Sequence, residues 1–195
     1  GEWSFEDWMA KRCEVHAFDP TTPLRARHEA HALGRGPNLS FHYEGLGLRT
    51  GGSASSLVSG VYGKLGGAIR PLDEILHALG HDDRQLDFLK IDCEGCEWEA
   101  FVDIAERTPQ LLTRVCTLVM KVHVSTQLQM GSTHQLARMA AFWKKYVEEA
   151  GFRLWYVHRN PGSPRGIDNH VHPLLVALGM DERVCCFEIG LHRPQ

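Results

Sequence analysis

Along most of its length the chain alternates between two apolar periodicities, and this limits the folds open to it more than any other feature. Short apolar runs at Cys13–Phe18, Leu39–Tyr43, Leu86–Asp92, Val115–Val124, Phe152–His158 and Val184–Leu191 have the length and composition of strands. Between them, Pro23–Leu33, the segment opened by Pro71, Glu97–Arg107 and His134–Ala150 carry apolar residues three and four apart, the spacing of a helix with one buried face. Gly34, Gly80 and Gly151 close three of these segments where a helix needs a left-handed or unhindered residue. Val115–Val124 is the most continuously apolar run, as expected of a strand covered on both faces. Strands separated by helices of this length predict an α/β fold: a doubly wound, mostly parallel sheet with right-handed crossovers, in one domain over 1–195.

Composition removes several functional classes. Twenty-one Lys and Arg against 24 Asp and Glu give a net charge of -3, and the cations are scattered, so no phosphate-tracking surface for nucleic acid is expected. No apolar stretch approaches the ~18 residues of a membrane span. Six cysteines lie mostly in apolar runs, where a reduced thiol packs as a small hydrophobe; this favours a reducing, cytoplasmic setting, although a targeting segment or anchor upstream would lie outside the segment. Residues 48–70, rich in Gly and Ser, read as a long surface loop or small hairpin. The loop at 159–183 carries no legible motif.

In an open α/β sheet, ligands bind beyond the carboxyl ends of the strands. Asp19, Glu44 and Asp92 stand there, an arrangement suited to a ribose and a nearby base. Asp19 precedes Pro20 and reads equally as a turn or helix-cap residue. The densest segment is Asp87–Phe101, where Asp92, Glu94, Glu97, Glu99 and Lys90 crowd a strand-to-helix turn eased by Gly95. One acid serves to cap a helix; the surplus points to groups that orient a cationic ligand or accept a proton. His123 ends the apolar strand on the ligand side, either as a base or as a satisfied core histidine. Cys93-x-x-Cys96 has redox or zinc spacing, but no second cysteine pair follows to complete a metal site. His77, His81, Asp82 and Asp83, like His170 and His172, read as solvated loop groups, so no metal is expected.

Two stretches, Pro-Leu-Asp-Glu-Ile-Leu at 71–76 and Leu-Asp-Phe-Leu-Lys-Ile-Asp-Cys-Glu-Gly-Cys-Glu-Trp-Glu-Ala-Phe at 86–101, resemble the FkbM-like S-adenosylmethionine-dependent methyltransferases, whose hallmark is a Lys-Ile-Asp-x-Glu-Gly-x-Glu run. Within that group the chain is similar to eukaryotic methyltransferase-like proteins, which carry Cys-Glu-Val-His-Ser-Phe-Asp-Pro where this chain has Ala17 for the serine. The resemblance spans Trp3 to the strand at Cys185–Glu188. It implies a Rossmann-like sheet of the class I methyltransferase type with its last strand antiparallel, and S-adenosylmethionine as cofactor. Asp19 and Pro20 would lie at the cofactor's ribose, Glu44, Gly45 and Leu46 near its adenine or ribose, and Asp92 at its methionine end or the substrate. The catalytic residues it implies are Asp92, Glu94 and His123, with an O or N nucleophile of a small molecule or glycan as methyl acceptor. Where family members carry Glu-x-His after the fifth strand, this chain has Lys121-Val-His123, a cation in place of a carboxylate.

Such enzymes open with a central strand and a glycine-rich cofactor loop. This chain begins at Gly1 just beyond that point, so Gly1 is expected beside the cofactor and the sequence is expected to be a fragment. Two rivals stand beside the methyltransferase. A nicotinamide-dependent oxidoreductase also places an acid after the second strand, but it does not carry the acidic turn at 92–99. An inactive S-adenosylmethionine-binding or interaction module would account for Lys121 and the absent front.

Overall fold

A computed structural model of the protein describes residues 3–47, 66–93, 96–123, 132–160 and 186–194. Residues 48–65 of the loop expected at 48–70 and 161–183 of the loop expected at 159–183, together with Gly1, Glu94, Gly95, His170 and His172, lie outside the described residues. The chain divides into two compact units, 1–70 and 71–195.

In the first unit, α1 (Ser4–Met9) leads to β1 (Val15–Phe18), a 3-10 turn at Thr22–Leu24, α2 (Arg25–Leu33) and β2 (Leu39–His42). β1 and β2 pair in parallel, Val15 opposite Leu39 and Phe18 opposite His42, so α2 is the crossover that joins them. The chain leaves α2 through Gly34 and turns at Gly36, whose φ of 92° lies in the left-handed region that glycine adopts without strain. β3 (Glu44–Leu46) pairs in parallel with β4 (Ala68–Arg70) as a separate two-stranded sheet. The expected loop therefore ends in a strand. Three residues were too few to read as one, and their partner lies more than twenty positions upstream.

That small sheet fixes the loop after β1. The amides of Gly66 and Gly67 both donate to the Pro20 carbonyl at 3.1 Å. Gly45 sits so close to the proline ring that a Cβ there would lie 2.6 Å from Pro20 Cγ. Trp3 stacks on His31 and meets His28 and Phe41 edge-on, and His28 and Phe41 lie tilted against each other, an aromatic cluster between α2 and β2.

The second unit holds α3 (Leu72–Ala78), β5 (Leu86–Ile91), α4 (Glu97–Arg107), a 3-10 stretch at Pro109–Arg114, β6 (Val115–His123), α5 (Ser132–Trp143), β7 (Arg153–Asn160) and β8 (Cys186–His192). Its sheet runs β5-β6-β8-β7. β5 and β6 are parallel, and β8 is antiparallel to both neighbours, as expected of the last strand. Among the described residues the strands thus form three sheets with three parallel and two antiparallel pairings.

The predicted helix over 134–150 is α-helical only to Trp143 and continues as a π-helix through Glu149. The wider turn carries Tyr146 inward, where its hydroxyl donates to the Phe101 carbonyl at 2.9 Å and its ring stacks on Phe142. Leu118, Met120, Phe101, Val102, Phe142, Phe152 and Leu191 are almost wholly buried around it. At about 1.5–3 kcal/mol for each large apolar side chain fully buried, this cluster is the main stabilising element of the unit.

Candidate active site

Two strands of the second unit deliver the chemistry. β5 ends at Ile91 and is followed by Asp92; β6, its parallel neighbour, ends at His123. Parallel pairing puts both carboxyl ends on the same edge of the sheet. α4 starts on that edge, and its first turn carries Glu97, Trp98 and Glu99.

Glu97 is 0% exposed and His123 only 4%. The His123 backbone N–H donates to Glu97 Oε1 at 2.6 Å, and His123 Nδ1 lies 2.9 Å from the same oxygen. A carboxylate oxygen can only accept, so Nδ1 is the nitrogen that donates its proton to Glu97. Nε2 lies 3.9 Å from Asp92 Oδ1. Trp98, 1% exposed, donates its indole N–H to the His123 carbonyl at 2.7 Å. Both the backbone and the ring of His123 are therefore held by the first turn of α4. The negative charge of Glu97 is met by two N–H donors and by the positive end of the α4 dipole.

Asp92 is 46% exposed at its side chain, and Lys121 Nζ stands 3.5 Å from its Oδ2. Lys121 thus serves as counter-charge to the candidate Asp92. In this exposed setting the pair contributes at most about 1 kcal/mol to stability, so its effect lies in orienting the carboxylate. Glu99 is bonded to Arg138 Nε at 3.1 Å, which ties α4 to α5 and removes one acid from the turn's apparent surplus.

The structure places Asp92 Oδ1 3.9 Å from His123 Nε2 and adds Glu97, which no sequence argument singled out from its neighbours. The available signal was the excess of acids over what one helix cap requires. Cys93 and Cys96 form a disulfide across the turn, contrary to the expectation of reduced thiols, whereas Cys13 is a free thiol. The Cα atoms of Cys93 and Cys96 lie 5.4 Å apart, within disulfide range. His81, expected to be solvated, is buried, with Arg84 Nη1 2.7 Å from its Nε2 and Arg114 donating to its carbonyl. His77 is exposed and paired with Asp82 at 3.0 Å.

In the first unit Asp19 forms the turn that its position before Pro20 suggested. Its Oδ1 accepts the Thr21 N–H at 2.8 Å and the Thr21 hydroxyl at 2.6 Å, while Oδ2 lies 3.1 Å from His28 Nε2. A carboxylate has about four acceptor positions, so one remains for a ligand hydroxyl. Glu44, at the start of β3, is 3.3 Å from Arg70 Nε on β4. Close by, Phe18 stacks on His42, and His16 Nδ1 lies 2.9 Å from His42 Nε2. Burial and the neighbouring His16 lower the His42 pKa from its usual 6.5, with Glu44 opposing them.

A family model described as a methyltransferase domain matches residues 1–158. The chain belongs to that methyltransferase family. No curated protein and no solved structure shows significant similarity to it. The match covers the carboxyl ends of β1, β5 and β6, so Asp19, Asp92, Glu97 and His123 all fall inside the methyltransferase domain. Among the described residues no helix is long and apolar enough to cross a membrane.

Proposed function

We propose that this methyltransferase domain uses S-adenosylmethionine and methylates an oxygen or nitrogen nucleophile of a small molecule or glycan, with His123 as proton acceptor. The observation that carries this reading is the Glu97–His123 pair beside Asp92. A buried carboxylate fixes the imidazole tautomer, leaves the lone pair on Nε2, and stabilises the imidazolium formed when a proton arrives. When bound, the cofactor supplies a methyl group already activated on a sulfonium. The protein's part is then to orient the acceptor, exclude water and remove one proton, which is catalysis largely by positioning.

Asp19, Glu44 and Asp92 are acceptor-only groups at strand ends or starts, each with a partly exposed side chain. The family resemblance assigns Asp19 and Pro20 to the ribose, Glu44, Gly45 and Leu46 to the adenine or ribose, Asp92 to the methionine end or substrate, and gives Glu94 and Gly1 their expected roles. The same reading takes the chain as FkbM-like, with a Rossmann-like sheet of the class I methyltransferase type.

Calorimetry with S-adenosylmethionine tests the cofactor, and release of S-adenosylhomocysteine in the presence of phenol, amine and glycan acceptors tests the transfer. His123→Ala is expected to keep binding and lose turnover. No binding by the unaltered protein overturns the reading, and binding without turnover on any acceptor replaces it with an inactive binding module.

A further inference from the structure

The Cys93–Cys96 disulfide lies at the mouth of the same turn, and no step of methyl transfer uses it. Its two sulfurs differ in access: Cys93 is partly exposed, whereas Cys96 is 4% exposed and its carbonyl accepts the Ala100 N–H at 2.9 Å as α4 begins. An external thiolate therefore reaches Cys93 first. Cys96 is the leaving group, and the thiolate it becomes sits at the positive end of α4. Cys93 Sγ is also 3.5 Å from Glu97 Oε2. A disulfide sulfur carries no proton to donate, so this approach becomes a hydrogen bond only when Cys93 is a thiol. A carboxylate so close disfavours the thiolate and keeps the proton on sulfur.

We propose that Cys93 and Cys96 are a reversible thiol–disulfide site that adjusts His123 through Glu97. The inference rests on His123 acting as base only for its functional consequence; the exchange itself does not depend on methyl transfer. The co-reactant is a dithiol. One of its thiolates attacks Cys93 Sγ, the Cys93–Cys96 bond breaks, and its electron pair leaves on Cys96. The second thiolate of the reductant then attacks its own sulfur in the mixed disulfide and releases Cys93. The reductant departs as a cyclic disulfide, and the two protons it gave up end on Cys93 and Cys96. Oxidation is the same exchange in reverse. In the reduced state the Cys93 S–H donates to Glu97 Oε2, draws on the charge that Oε1 offers to the His123 ring, and makes the imidazolium less favourable.

The test uses the unaltered chain poised in dithiothreitol at graded ratios of its reduced and oxidised forms. Maleimide labelling with peptide mapping is expected to show Cys93 and Cys96 gaining label together, as one two-electron step. The ring-proton titration of His123, followed by NMR, is expected to move to lower pH on reduction. The shift should be absent in Glu97→Gln, and Cys93→Ser should fix the titration at one position whatever the redox poise. Labelling of the two cysteines at unrelated ratios, or a His123 titration identical in both states, overturns the proposal, as does a zinc ion retained by the reduced protein in native mass spectrometry. Calorimetry with S-adenosylmethionine on the same samples keeps this outcome separate: loss of cofactor binding counts against the methyltransferase reading and leaves the labelling and titration results intact.

Discussion

Replacing Glu97 by alanine tests the core of the site most directly, because its consequence can be worked out from two hydrogen bonds. Oε1 accepts both the backbone N–H and the Nδ1–H of His123, in a place where Glu97 is 0% and His123 4% exposed. Alanine strips both donors of their partner without admitting an equivalent one. A buried donor left unsatisfied costs about 1–3 kcal/mol, so the pair costs about 2–6 kcal/mol before any gain from no longer burying a charge. That is a large share of the ~5–15 kcal/mol that holds a typical domain together. Glu97→Gln keeps an acceptor oxygen and loses only the charge assistance, for an expected cost of about 1 kcal/mol. Urea unfolding followed by near-ultraviolet circular dichroism gives the energies, and hydrogen exchange at the His123 amide reports the bond itself. An alanine variant within about 0.5 kcal/mol of the parent at unchanged m-value, with the His123 amide still slow to exchange, would refute the assignment of Oε1 as partner of both donors.

Gly45→Ala drives a methyl to 2.6 Å from Pro20 Cγ and 3.0 Å from Ile69 Cδ1, and is expected to cost about 1–3 kcal/mol, read from the unfolding of the first unit. Tyr146→Phe removes the bond to the Phe101 carbonyl and should cost about 1 kcal/mol in chemical denaturation. Burial raises the Tyr146 pKa well above 10, so the folded form holds its proton more tightly than the unfolded chain. Stability should then fall as pH rises past 10, and Tyr146→Phe should lose that fall. His42 behaves in the opposite sense. Its lowered pKa means that the unfolded chain takes the proton first, so the first unit should be at full strength above pH 6.5 and weaken as pH drops. Thermal melts across pH 5 to 7.5 check this, and a profile unchanged in His42→Phe would refute it.

The sequence made the large elements legible because periodicity and helix stops survive translation into structure with little competition. Six of the nine residues of Val115–His123 are buried and the other three, Thr117, Val119 and Lys121, are half-buried, and Gly80 and Gly151 adopt positive φ at the helix ends they mark. β4 was illegible because nothing local distinguishes Ala68–Arg70 from the glycine-rich stretch before it; the strand exists through pairing with Glu44–Leu46. Asp92 and His123 could be placed at strand ends, but the partner of His123 could not be chosen among the acids of the turn. That choice depends on which helical position faces β6, and Glu97 faces it while Glu99 turns to Arg138. The π-helix at 144–149 was hidden for a similar reason: Tyr146 satisfies either pitch in sequence and only its bond to Phe101 selects one.

The position of β8 sets an order of events in folding. It follows β7 in the chain yet lies between β6 and β7, and among the described residues it is the strand through which β7 joins the sheet. During synthesis β7 therefore emerges with its docking partner still unmade and its edge N–H and C=O groups unpaired, while Leu154, Trp155 and Val157 stay exposed even once β8 has docked. Completion of this sheet waits for residues 186–192, and the interval between the two strands is the period in which a nascent chain most needs protection from association.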